Sequence, residues 1–207
     1  MPNDNSHIAL IHHDRVPVRL LDEFCAGINV DSLYLERISR VKLGPQMGIE
    51  WLAFPAIALF LLKPYFESFM KEAGKDHYLA LKEALHALWG KLFSKDRDFR
   101  VAVVTVSGEK KIKYSMLFAI YTIADNGHLV KLMIREDCSE DEYSASIEAF
   151  LNFVESYHSR EPEKKQAIDL GREKKGGGIT LLEYDGQSKS LRIVNLRSDS
   201  GNAQHDD

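Results

Sequence analysis

WLAFPAIALFLL, residues 51–62, carries no charge over 12 positions and ends at Lys63. A bilayer span takes ~20 mostly apolar residues, whereas a run of ~10–14 more often marks a buried helix or an interfacial segment. Around this run the helical pattern extends from Ile49 to about Phe93, interrupted by Pro55 and Pro64. Pro64 cannot donate to the carbonyl of Phe60, so a kink is expected there. Gly74 and Asp76 suggest a stop and a new N-cap. Beyond them Tyr78, Leu81, Leu85, Leu88 and Leu92 fall at three- and four-residue steps, an amphipathic stripe. One long kinked helix and a helical hairpin both fit.

Extended to Met70, the segment has membrane-like features and contrary ones. Trp51 at one end and Tyr65 with Phe66 at the other mimic an aromatic belt. Lys63 and Glu67 fall inside it, and a lysine at a helix centre costs ~2.5–3.5 kcal/mol on insertion scales unless it snorkels to an interface. Arg37, Arg40 and Lys42 precede the run and Lys63, Lys71 and Lys75 follow it, so the flanking charge sets no orientation. The segment therefore reads as a helix for self-association or membrane contact. Trp51, Phe54, Leu59, Phe60, Lys63, Tyr65 and Phe66 form the expected contact surface. The competing readings are a buried core helix and a true span.

Upstream, His7 to His12 reads as a strand, Leu20, Leu21, Phe24 and Cys25 as a helical stripe closed by Gly27, and Leu33 to Val41 as a second strand. This makes a β-α-β start. Downstream, Ser94 to Asp98 is a polar boundary before a β-rich half. Phe99 to Val106 reads as a strand. Tyr114 to Ala124 and His128 to Arg135 form a hairpin across Asp125-Asn126-Gly127, and its first strand is apolar on both faces. Ser139 and Glu142 make a capping box for a helix ending near His158. Residues 159–178 carry ten charges in twenty positions and end in three glycines, the composition of a mobile loop. Ile179 to Tyr184 and Leu191 to Leu196 form a last hairpin, and the tail from Arg197 is expected to be disordered. The fold class is α+β: a β-α-β start, a long kinked apolar helix or helical hairpin, then a mainly antiparallel sheet with one covering helix. The expected segments are 1–48, 49–95, 96–196 and a tail at 197–207.

Of the 207 residues, 44% are hydrophobic and 28% charged, with a net charge of −4. That is a globular composition without the basic field that nucleic acid requires. Two distant cysteines make no disulfide framework, and the first residues have no basic n-region, so a cytoplasmic protein is expected, with inner-membrane attachment an option. Adjacent His12 and His13 on a strand point to opposite faces and make poor co-ligands, so no metal or other cofactor is expected. Cys25 lies on an apolar helical stripe and reads as packing. Cys138 precedes a helix N-terminus, where a thiol pKa can fall, which makes it the candidate reactive thiol. Gly74-Lys75-Asp76 fails as a phosphate loop, because Phe69 stands where a glycine is needed and Asp76 where Ser or Thr is needed. No carboxylates stand out as an acid–base pair, so no catalytic residue is assigned.

The order of a short strand (Leu33 to Val41), then LGPQMG at 43–48, an apolar helix and another strand resembles the effector-associated constant component family. The resemblance covers roughly residues 18–107. Proteins of that family are encoded beside effectors of bacterial conflict and defence systems. The resemblance implies an adaptor or accessory role and no enzyme. The expected function is thus a non-enzymatic interaction protein whose partner is itself, another protein or a membrane surface. The alternatives are a soluble enzyme or ligand-binding protein with a site assembled from distant loops, and a membrane-perturbing effector.

Overall fold

The computed structural model describes residues 6–29, 33–40, 54–69, 74–94, 97, 104–105, 108–109, 113–124, 127–158 and 178–194. It is an α+β protein. Among the described residues nine strands, β1 (Ile8–His13), β2 (Leu35–Arg40), β3 (Ile57–Leu61), β4 (Val104–Thr105), β5 (Gly108–Glu109), β6 (Phe118–Ile123), β7 (Leu129–Met133), β8 (Ile179–Asp185) and β9 (Ser190–Ile193), are joined with four helices, α1 (Val18–Gly27), α2 (Lys63–Phe69), α3 (Gly74–Leu92) and α4 (Glu140–His158). Seven strands form one sheet in the order β2-β1-β3-β6-β7-β8-β9, and β4 and β5 pair separately. The sheet draws β1 and β2 from residues 1–48, β3 from 49–95 and the rest from 96–196.

The apolar run corrects the helical expectation. Ile57 to Leu61 is a strand at the middle of the sheet, antiparallel to β1 and parallel to β6. All five residues are buried. A continuously apolar stretch fits a strand covered on both faces as well as a buried helix, and periodicity cannot separate them. The helix preference of Ala and Leu over other apolar residues is worth at most ~0.7 kcal/mol each. Burying one Leu, Ile or Phe side chain contributes ~1.5–3 kcal/mol, so the double-sided burial wins. The prolines bound elements instead of kinking one helix. Pro55 lies just before β3, and Pro64 sits in the first turn of α2, where its missing N–H costs nothing.

Alternate residues of the strands build a buried layer on each face of the sheet. Ile8, Leu10, Ile57, Leu59, Leu61, Phe118, Ile120, Val130, Leu132 and Leu182 meet buried side chains from all four helices in the larger cluster. All four helices therefore cover one face, where one covering helix was expected. The opposite face holds Ala9, Ile11, Ala58, Phe60, Leu62, Ala119 and Tyr121. The seven-stranded sheet is mixed: β1 pairs β2, β3 pairs β6 and β7 pairs β8 in parallel, while within 96–196 the pairs β4–β5, β6–β7 and β8–β9 are antiparallel.

Several local signals act as their chemistry dictates. Ser139 and Glu142 exchange a reciprocal pair of bonds: the Ser139 N–H donates to Glu142 Oε2 at 3.1 Å and the Glu142 N–H donates to Ser139 Oγ at 3.2 Å. Gly127 adopts φ +76°, the left-handed value its turn requires. Helices α3 and α4 run antiparallel along a polar seam with a four-residue step on each. Tyr78 Oη donates to Asn152 Oδ1 at 3.1 Å, Lys82 Nζ lies 3.2 Å from Glu148 Oε1, and Ser144 Oγ lies 2.9 Å from His86 Nδ1. No helix among the described residues is long and apolar enough to cross a membrane. The expected loop at 159–178, except Gly178, the tail and the LGPQMG segment lie outside the described residues.

Leu59 tests the central strand. Leu59→Ala is expected to lower unfolding free energy by ~2–5 kcal/mol in urea titrations. Leu59→Arg, which buries an unpaired charge, is expected to abolish cooperative unfolding.

Candidate functional site

Among the described residues β2 lies at one end of the sheet, with β9 at the other, and the two backbone edges of β2 differ. The carbonyls of Tyr34 and Arg40 accept from His7 and Asp14 beside β1, so even-numbered residues turn their peptide groups inward. The N–H and C=O of Leu35, Arg37 and Ser39 therefore point outward. Among the described residues β2 pairs with β1 alone, through six consecutive pairs without a bulge. The sequence LERISR contains no proline or lysine, while Glu36, Arg37 and Arg40 place charge on the strand, which disfavours indiscriminate pairing. Arg37 and Ser39 are exposed.

The side chains of β2 are positioned by its neighbours. Arg37 Nε donates to His12 Nε2 at 3.2 Å, and its NH1 donates to Asp22 Oδ1 on α1 at 2.6 Å. Arginine can only donate, so His12 Nε2 accepts and its Nδ1, 3.0 Å from the His13 carbonyl, carries the proton. Ser6 Oγ donates to Glu36 Oε2 at 2.8 Å. The Arg40 guanidinium carbon sits 4.6 Å from the centroid of Phe54. Burial pushes the nearby Cys25 thiol up, with Arg37 opposing and Asp22 reinforcing that shift. This set can hold an extended backbone and offer it fixed charges.

The predicted contact residues lie elsewhere. Leu59, Phe60, Tyr65 and Phe66 are buried, inside the protein instead of on its surface. Phe54 is half-buried and stacks on Phe60 and Tyr121, with centroids 6.2 and 5.8 Å away. Lys63 is exposed at the start of α2, and Trp51 lies outside the described residues. Phe66 stacks against His158. Cys138 does not have the lowered pKa expected of a helix N-terminus. Burial first, then Glu142 and Asp137, push its thiol up to about 12.

Lys131 and Glu183 are buried and escaped the sequence reading. Lys131 on β7 is buried, its Nζ 5.6 Å from the Tyr121 centroid, and burial lowers its pKa to about 8. Glu183 on β8 is buried on the same face. Arg192 donates to its Oε1 at 2.8 Å, Tyr114 donates to its Oε2, and Lys113 Nζ lies 3.8 Å from the same oxygen. The signal in sequence was a charge next to apolar strand residues, the lysine of LVKLM in β7 and the glutamate of ITLLEYD in β8. A cleft of about 240 Å³ between α1 and α3 is floored by Leu20, Phe24, Ala84 and Leu88 and crossed by the Glu23–Lys91 ion pair. Among the described residues no three His, Cys, Asp or Glu side chains are arranged to hold a metal.

No family model, curated protein or solved structure matches this chain.

The thiol and the amine give separate predictions. With its pKa near 12, Cys138 is expected to be alkylated at neutral pH at least ~100-fold more slowly than an exposed cysteine, read by peptide mass spectrometry. Lys131 has a folded pKa below its unfolded one, so the unfolded chain binds more protons between about pH 8 and 10.5 and stability rises with pH across that window. Below pH 8 the penalty is fully present. Lys131→Met is expected to stabilise the protein near neutral pH by on the order of 1–3 kcal/mol, the gain shrinking towards pH 10 in urea titrations.

Proposed function

We propose that this protein is a non-enzymatic interaction component that joins a partner by strand addition along β2. The observation that carries this reading is the regular six-residue edge whose outward peptide groups, at Leu35, Arg37 and Ser39, are paired to no described strand. Strand addition draws affinity from main-chain hydrogen bonds and specificity from alternate side chains. Arg37, held by His12 and Asp22, and Glu36, held by Ser6, are ordered in advance, which reduces the entropy lost on association. A second reading, a ligand-binding or enzymatic site assembled from distant elements, draws on Lys131, whose lowered pKa leaves some amine unprotonated near neutral pH.

Residue-resolved amide exchange tests the proposed edge. In dilute protein the Arg37 and Ser39 amides are expected to exchange at least ~100-fold faster than those of Glu36 and Ile38, which face β1. Equal protection of all four in a monomeric sample would mean that another part of the chain occupies the edge, and the interaction reading would fail. The second reading fails if native mass spectrometry finds no small molecule retained by the wild type that Lys131→Met loses.

A further inference from the structure

We infer that the strand added to β2 is the β2 of a second copy, in an antiparallel pair about a two-fold axis at Ile38. This inference rests on the interaction reading above and names the partner. A symmetric pair must be complementary to itself, so each residue meets a fixed opposite number. Outward peptide groups belong to odd-numbered residues, so odd must face odd across the new ladder. Centring the axis on Ile38 sets Arg37 opposite Ser39 of the other copy as the hydrogen-bonded pairs. Glu36 then stands opposite Arg40, Ile38 opposite Ile38, and Arg40 opposite Glu36. These even-numbered pairs occupy the non-hydrogen-bonded positions, where Cα atoms lie ~4.5 Å apart and side chains are closest.

Neighbouring registers lose this match. A shift of one step sets Arg37 against Arg37 in one direction and, in the other, Ile38 against Arg40. The next steps set Glu36 against Glu36 or Arg40 against Arg40. Like charges directly opposite are destabilising, and opposite charges are favourable. The existing contacts suit the favoured register. A carboxylate accepts several donors, so Glu36 can keep Ser6 while taking an arginine. The Arg40 guanidinium over Phe54 retains in-plane N–H groups. Ile38 already packs against the Ala9, Ile11 and Ala58 cluster, so the Ile38–Ile38 contact would continue that core across the boundary. The opposite edge is a poorer candidate, because β9 has only four residues.

Sedimentation velocity from low micromolar to several hundred micromolar is expected to show a monomer–dimer equilibrium for the wild-type chain. Glu36→Arg or Arg40→Glu alone sets like charges opposite each other and is expected to weaken association ~10-fold or more. The double variant Glu36→Arg/Arg40→Glu restores opposite pairs and is expected to recover it. Ser39→Pro removes an outward N–H without touching the β1 ladder, so it is expected to be monomeric with an unchanged circular dichroism spectrum. A wild type that stays monomeric, or a Ser39→Pro variant that associates equally well, overturns the second-copy inference. If a charge variant unfolds, the wild type and Ser39→Pro decide. Amide exchange on the same samples separates the two failures. A monomer with rapidly exchanging Arg37 and Ser39 amides removes only the second copy, whereas protection of both in a monomer removes the interaction reading as well.

Discussion

Burial of Ile57–Leu61 on both faces is the constraint on which the architecture rests. β3 accepts β1 on one side and β6 on the other, so strands far apart in the chain become neighbours in one sheet. Its residues are apolar at every position because neither face is open. Leu59 points to the helical layer and Phe60 to the opposite layer, where it stacks on Tyr121 with ring centroids 4.7 Å apart. Both cores thus meet through this strand, and an element of five residues connects the two halves of the protein.

The placement of the helices follows from that sheet. All four contribute to the cluster containing Ile8, Leu59, Phe118 and Leu182. The seam between α3 and α4 is polar at its outer positions, where Lys82 meets Glu148 and Ser144 meets His86, while Tyr143 reaches inward to donate to the Leu85 carbonyl at 2.9 Å. On the other face the buried polar groups are held by specific contacts. Glu183 gathers Arg192, Tyr114 and Lys113, which offsets the cost of burying its charge. At the outer strand, helix α1 touches β2 through the Asp22–Arg37 pair, and Arg37 and Ser39 remain exposed.

Much of the local structure was legible because its causes are local. The Ser139–Glu142 box opens α4, the 78–92 stripe is the buried face of α3, and the glycine of Asp125-Asn126-Gly127 takes its positive φ. The candidate edge was half legible. Leu33 to Val41 reads as extended, but nothing within it says that it ends the sheet, or that His12 and Asp22 hold Arg37. Cys138 shows the same limit from another side. Its place before a helix predicts a lowered pKa, while burial first, then Glu142 and Asp137, raise it.

The α+β class, the caps, the turns and the amphipathic stripes follow from side chains within a few residues of one another and are readable along the chain. Tertiary contacts alone make the apolar run a strand, mix the strand directions of the sheet, and leave β2 at one end of it among the described residues. The reason is physical: a two-sided apolar stretch satisfies a helix and a central strand equally well in isolation. The choice falls to pairing energies between segments up to about sixty residues apart, such as Ile57 with Phe118.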